Sequence, residues 1–236
     1  MEIRLTSLRR GAQEATGTAI IIDVFRAFTT AAVAFDRGAA RIILVAEVAE
    51  ALDLRRQGLG DLCMGEVDGS KPAEFDFGNS PYELSQTDLA GKTLIQSTRA
   101  GTVGVAAATA ADTIYLGAFV TAMATVRAIL AQPPRLVSIV AMGNRATERS
   151  DEDEQCALYL RNLLQGRRPE ADAVKRLVLV GQEAQKYDDP SQPHFHPRDR
   201  DLALQIDRYA FALRVTRQHG LLMVHSPLAP TAQTPQ

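Results

Sequence analysis

The chain has 236 residues, 46% hydrophobic and 23% charged, with 26 basic against 28 acidic side chains and a formal net charge of −2. That profile describes an ordinary globular protein with a sizeable core, and its near-neutral balance leaves no electrostatic footprint for nucleic acid or an anionic membrane. Cys63 and Cys156 form neither a metal-finger spacing nor a disulfide framework, so a cytoplasmic, reducing location is expected. The N-terminus lacks the apolar segment of a signal peptide, and no apolar run approaches the roughly 18 residues of a membrane span.

Short apolar runs alternate with helix-length amphipathic stretches along the chain. The pattern predicts strands over Glu2–Leu8, Thr18–Asp23, Arg41–Val45, Leu62–Met64, Thr93–Gln96, Thr113–Leu116, Leu136–Ala141 and Leu221–His225. Helices are predicted over Phe28–Asp36, Glu47–Gln57, Gly101–Ala110, Val120–Ala131, Glu152–Leu164, Ala171–Tyr187 and Asp199–Gln218. Such alternation implies an α/β protein, with a mixed, largely parallel sheet and helices on both faces. The prolines of 190–197 make that stretch a loop, and the Pro/Thr/Gln/Ala-rich tail 227–236 reads as disordered. No linker divides residues 1–226, so one domain is expected.

Two apolar strands end in acids. Ala19-Ile20-Ile21-Ile22 runs into Asp23, and Leu136–Ala141 is followed by Gly143-Asn144 and then Glu152-Asp153-Glu154. Open α/β sheets bind ligands at the carboxyl ends of their strands, and carboxylates gathered there suit a hard divalent cation handling an anionic substrate. The plainer reading of Ser150-Asp151-Glu152-Asp153 is a helix start, with a Ser cap and acids favoured by the helix dipole, yet four consecutive acids exceed what capping needs. Asp23 has Phe25, not a second Asp, two residues on, which favours a metal-binding or orienting role over a nucleophilic one. Arg26 beside it offers a bidentate fork for phosphate or sulfonate, unless it forms a mere surface pair with Asp23.

Ser97-Thr98-Arg99-Ala100-Gly101-Thr102 follows a strand and opens a helix of small residues, so its hydroxyls and amides form a candidate anion cradle, distinct from a Walker A loop. Gly78-Asn79-Ser80-Pro81-Tyr82-Glu83 is first a helix start, with Ser80 as cap, Pro81 in the first turn and Glu83 completing a capping box. Glu66 is either a ligand or an exposed turn acid. His194 and His196 lack a third zinc ligand nearby and read as a solvated loop, and Cys156 as a small core residue. Neither a Gly-x-Ser-x-Gly elbow nor a His-Glu-x-x-His motif is present.

In this order, Ile22-Asp23-Val24-Phe25-Arg26-Ala27, Gly65-Glu66, Phe75-Asp76-Phe77-Gly78-Asn79-Ser80-Pro81, the 97–102 loop and Glu152-Asp153-x-x-Cys156-Ala157 resemble the 2-phosphosulfolactate phosphatases. The resemblance runs from about residue 18 to 160, with a helical continuation to about 225. It implies a Mg²⁺-dependent phosphatase of three-layer α/β/α fold that converts 2-phosphosulfolactate to sulfolactate and phosphate, a step associated with coenzyme M biosynthesis. Under it, Asp23, Arg26 and Asp153 are the catalytic candidates. Asp23, Glu66, Glu152 and Asp153 are candidate metal ligands. Arg26, Asn79, Ser97, Thr98, Arg99, Gly101 and Thr102 are candidates for holding a small anionic phosphorylated substrate.

The attacking group is left open between a water held by the metal and a carboxylate. Two departures bear on substrate: Phe28 stands where the family usually has a small hydroxyl residue, and Arg99-Ala100 falls where it usually reads Thr-Thr-Asn-Gly-Thr. A non-catalytic binder of anionic metabolites is the second reading, and a Mg²⁺-dependent lyase or isomerase the third. Helix surfaces such as Val120–Ala131 leave room for a homodimer.

Overall fold

The computed structural model describes residues 1–228. Nine strands form one sheet in the order β1-β7-β2-β6-β8-β9-β3-β5-β4: β1 Glu2–Ser7, β2 Gly17–Ile22, β3 Arg41–Val45, β4 Leu62–Gly65, β5 Thr93–Ser97, β6 Ala111–Gly117, β7 Leu136–Ala141, β8 Leu213–Gln218 and β9 Leu221–His225. The group β1-β7-β2-β6 is parallel, as is β3-β5-β4, and the antiparallel pair β8-β9 joins them. The helices are α1 Leu8–Gln13, α2 Ala27–Asp36, α3 Val48–Arg56, α4 Pro81–Ser85, α5 Gly101–Ala107, α6 Ala122–Ala131, α7 Asp151–Leu164, α8 Ala171–Leu179, α9 Gln182–Gln185 and α10 Pro197–Ala203.

Strand alternation sorts the core into layers. Ile21, Ile42 and Leu44 face α1, α2 and α5 on one side of the sheet. Ile20, Ile22, Val137 and Ile139 pack against α6 and α7 on the other, while Ile43, Val45 and Ile95 meet α3. The mixed, mostly parallel sheet between helical layers is the α/β/α architecture expected.

Three antiparallel pairings separate β6 from β3, so the two parallel groups run in opposite senses. In a flat sheet their carboxyl ends would lie on opposite edges. They meet instead: Gly101 N, after β5, donates to Asp23, after β2, at 2.8 Å, and Arg26 Nη2 donates to Gly69 O, after β4, at 3.0 Å. The sheet is therefore strongly coiled. A twist of roughly 20–25° per strand over the five steps from β2 to β5 accumulates to roughly 100–125°, enough to fold one group of strand ends over the other around α2 and α5.

Two expected helices differ, and one helix is additional. The helix predicted over Asp199–Gln218 ends at Ala203, and residues 213–218 form β8. His219 and Gly220, at φ +50° and +81°, make the two-residue left-handed turn that matches strand twist, and the inward–outward alternation of Leu213, Arg214 and Val215 is that of a half-buried strand. The helix predicted over Ala171–Tyr187 is broken at Gly181, which is extended and where a Cβ would lie 2.6 Å from Asp151 Oδ2. Helix α1 was not predicted, since residues 8–13 carry no apolar periodicity of their own. The tail expected to be disordered lies, from residue 229 on, outside the described residues.

Candidate active site

Loops after β2, β4, β5 and β7 converge on a cavity of about 170 Å³. It is lined by Asp23, Arg26, Glu66, Asn79, Arg99 and Glu152 from the predicted set, and by further residues including Glu183, Lys186 and His194.

Asp23, Glu66 and Asp153 are held by backbone amides. Asp23 Oδ1 accepts from Ala27 N at 3.0 Å and Oδ2 from Gly101 N at 2.8 Å. Glu66 Oε2 accepts from Gly69 N and Oε1 from Arg99 N, both at 2.7 Å. Asp153 Oδ1 accepts from Val24 N and Oδ2 from Gly143 N, both at 2.8 Å. Charge-assisted bonds of this kind orient a carboxylate and leave each oxygen a second lone pair. Close approach dictates two glycines. A Cβ on Gly101 would stand 2.7 Å from Asp23 Oδ2, and one on Gly143, at φ +64°, would lie 2.0 Å from Glu148 O.

The 97–102 loop consequently differs from the anion cradle expected of it. Arg99 N and Gly101 N are occupied by Glu66 and Asp23. Thr98 N donates to Thr102 Oγ1 at 2.9 Å and Thr102 N to Thr98 Oγ1 at 3.2 Å, closing the loop on itself. Ser97, Thr98 and Thr102 are buried and do not line the cavity; from this loop Arg99 and Ala100 do. The loop cradles the protein's own carboxylates.

Arg26 is 3% exposed, and its partner is Asp199, not Asp23. Its Nη1 donates to Asp199 Oδ2 at 3.0 Å and to His194 O at 2.8 Å, Nη2 donates to Gly69 O, and the guanidinium lies over the Phe195 ring at 4.9 Å. Asp199 also accepts from Ser80 Oγ at 2.6 Å and Tyr82 N at 2.9 Å. Of five guanidinium N–H groups, this leaves Nε–H and one on Nη2 for a ligand. Arg26 thus ties the loops after β4 and before α10 together while facing the cavity.

Glu152 is 4% exposed and its Oε2 has no hydrogen-bond partner. Burial, with the nearby Glu183 and Asp23 charges, pushes its carboxyl up to about 8. Burial and Glu66 likewise raise Asp23 to about 6 against the pull of the Ala27 and Gly101 amides. Asp153 is raised well above the ordinary carboxylate range by burial and by Glu152 and Asp23. Ionisation of all three carboxyls is thus disfavoured, first of all by burial.

The structure brings Asp23, Glu66 and Glu152 to one cavity and sets Asp153 behind them, 2% exposed and bonded at both oxygens. Ser150 sits at the cap position of α7 without a side-chain cap bond, so the expected Ser cap is absent. Ser80 does cap α4, accepting from Glu83 N at 3.1 Å, whereas Glu83 accepts from Gly78 N in place of Ser80 N. Cys156 is a buried core residue as expected. The two histidines separate: His194 lines the cavity, against the solvated loop predicted, because Arg26 draws its carbonyl inward, while His196 caps α10.

Glu183, Lys186 and Asp199 are functional candidates that sequence reasoning missed. The first two lay inside what read as one uninterrupted amphipathic helix, where the lone signal was Gly181. Asp199 read as an ordinary helical acid.

Among the described residues no set of three His, Cys, Asp or Glu side chains converges as a ready-made metal cage. The donors nonetheless fit Mg²⁺, which takes one or two carboxylates and keeps waters or substrate oxygens for the rest. Glu152 Oε2 and Asn79 Oδ1 are buried oxygens without partners on residues that line the same cavity, hard donors of the kind such an ion requires.

A coiled α/β sheet thus gathers amide-held carboxylates and a buried arginine at its strand ends, an arrangement suited to phosphoryl chemistry. Residues 5–194 match the signature of the 2-phosphosulpholactate phosphatase family, and the chain belongs to that family of phosphoric monoester hydrolases. It is 32% identical over 184 residues to a probable 2-phosphosulfolactate phosphatase of Bacillus subtilis, covering 76% of this chain and 78% of that protein. A protein of the same description from Deinococcus radiodurans is 37% identical over 126 residues, 53% of this chain and 52% of its own. One from Thermoplasma acidophilum is 31% identical over 147 residues, 62% and 65%. Among the described residues no helix is long and apolar enough to cross a membrane.

Proposed function

We propose that this chain is a Mg²⁺-dependent phosphatase acting on 2-phosphosulfolactate or a closely related small phosphorylated hydroxy acid, in the cytoplasm and in a route such as coenzyme M biosynthesis. The observation that carries the reading is the buried, unpartnered Glu152 Oε2 beside Asp23 in a cavity also faced by Arg26 and Arg99. A buried carboxyl that resists ionising until a counter-charge arrives suits a cation, and two arginines at the same cavity suit an anion.

Glu152 and Asp23 would hold the metal, with Asn79 Oδ1 as a neutral donor and Glu66 facing the same cavity. Bound there, Mg²⁺ supplies charge neutralisation and polarises the phosphoryl oxygens. Arg26 directs Nε–H and its remaining Nη2–H at the phosphoryl group, where charge-assisted bonds strengthen as negative charge develops. Asp153 acts through the backbone: by fixing the Val24 and Gly143 amides it sets where Asp23 and the turn after β7 stand. Two buried free cysteines suit a reducing compartment.

The test is phosphate release from racemic 2-phosphosulfolactate, with and without Mg²⁺, beside a panel of phosphorylated hydroxy acids. Mg²⁺-dependent release from 2-phosphosulfolactate supports the reading. Release only from another member of the panel moves the substrate, and silence from folded protein favours a non-catalytic binder of anionic metabolites.

A further inference from the structure

A second cavity, of about 610 Å³, adjoins the acidic one, and Arg99 and Arg145 line both. Its own wall adds Arg9, with Glu47 as the single acid, and otherwise small or neutral side chains such as Ala106, Ala107 and Thr147. Arg99 and Arg145 thus stand where the two cavities adjoin: acids and basic side chains both line the first, and arginines outnumber the single acid in the second.

The arginines at the junction are available. Arg99 Nη1 meets Glu47 Oε2 at 3.7 Å, with the two side chains 45% and 67% exposed, and Arg145 Nε meets Asp68 Oδ1 at 2.9 Å, with both more than half exposed. Exposed pairs of this kind contribute little and exchange readily for a ligand anion. Arg145 is also placed with care. It and Ala146 take left-handed φ of +52° and +59°, conformations that non-glycine residues keep only where their surroundings impose them. The imposing contacts are Asn144 N to Glu148 O at 2.8 Å, Arg9 N to Ala146 O at 3.2 Å, and Gly143 N to Asp153. The last couples the arginine turn to the carboxylate that sets Asp23.

We propose that the two cavities act as one bipartite site: the acidic pocket takes the phosphoryl group, and the adjoining cavity takes a second anionic group, carboxylate or sulfonate, on an arm of the same substrate, gripped by Arg99 and Arg145. This rests on the phosphatase reading for the first half and extends it. The substrate proposed above already carries such acids; what the second cavity adds is the residues that would hold one, and room for arms longer than that of sulfolactate. Arg145 and Arg9 are binding residues that the motif blocks do not include.

The experiment is calorimetric titration of the Mg²⁺-loaded protein with racemic 3-sulfolactate, with 2-hydroxyglutarate and with inorganic phosphate, for wild type, Arg99→Gln, Arg145→Gln and the double variant. Both arginines are largely exposed, so the variants are expected to fold, and a melting curve verifies it. Each single change is expected to weaken both organic acids about tenfold and the double change more, the size of a lost charge-assisted bond, while phosphate, which lacks the further acid, loses less than they do in every variant. Unchanged affinity for the organic acids in the double variant, or their failure to bind wild type at all, overturns the proposal. Turnover of 2-phosphosulfolactate by wild type is scored separately. Turnover with arginine-independent binding sinks the second subsite alone, whereas arginine-dependent binding without turnover of any phosphate sinks the phosphatase reading and leaves the subsite standing.

Discussion

Glu152→Gln removes the buried charge on which the metal argument rests. In the metal-free protein the folded state keeps the Glu152 proton up to about pH 8, while an unfolded chain releases it near the ordinary 4.5. Between those values the folded state binds more protons, so stability falls as pH rises. At about 1.4 kcal/mol per pH unit the window sets a ceiling of about 5 kcal/mol. Relaxation of the site, and Asp23 sharing the same field, reduce the expected difference to about 2 kcal/mol. Urea denaturation of wild type and Glu152→Gln at pH 5 and pH 8 in chelator measures it. Wild type should lose about 2 kcal/mol more than the variant on going to pH 8, and Mg²⁺ should restore wild type but not the variant. Parallel pH profiles for the two proteins, with Mg²⁺ stabilising both equally, would refute the reasoning.

Asp153→Asn, nearly isosteric, replaces one accepting oxygen by a donor facing Val24 N or Gly143 N, and should cost about 1–3 kcal/mol in denaturation. Its turnover should fall mainly in kcat, with Mg²⁺ affinity retained, and a matching loss of Mg²⁺ affinity would make Asp153 a ligand. Arg26→Lys cannot reach Asp199, His194 O and Gly69 O together; about 2 kcal/mol of destabilisation and faster proteolysis within 189–196 are expected. Gly101→Ala places a Cβ 2.7 Å from Asp23 Oδ2, and the displacement should lower activity about 10²-fold with the circular dichroism spectrum unchanged.

The legible part of this protein lay in local pattern. Apolar runs such as Ala19–Ile22 and Leu136–Ala141 announce buried parallel strands, because both faces are covered and no polar alternation is tolerated. Acids at their ends, and the motif blocks around Asp23, Glu66 and Glu152, pointed to the cavity those residues line. Residues 213–218 read as the end of a helix although a hairpin signal was present, since Arg217 falls where the Leu213, Val215 alternation calls for an apolar residue and His219-Gly220 is a weaker turn signature than Asn-Gly.

Which side of the sheet's coil each loop reaches was decided only in three dimensions. Opposed strand groups share a site because twist accumulates through β8 and β9, a property of nine paired strands together and not of any segment. The same holds for roles. Arg26 neighbours Asp23 in sequence, yet its buried partner is Asp199, 173 positions away. Likewise in 97–102, a generic anion loop by composition, Thr98 and Thr102 bond to one another, and the Arg99 and Gly101 amides to Glu66 and Asp23. Composition and periodicity determine which residues are buried and which elements form. The pairing of distant hydrogen-bonding groups, and with it the orientation of every carboxylate at the cavity, is determined by the tertiary fold.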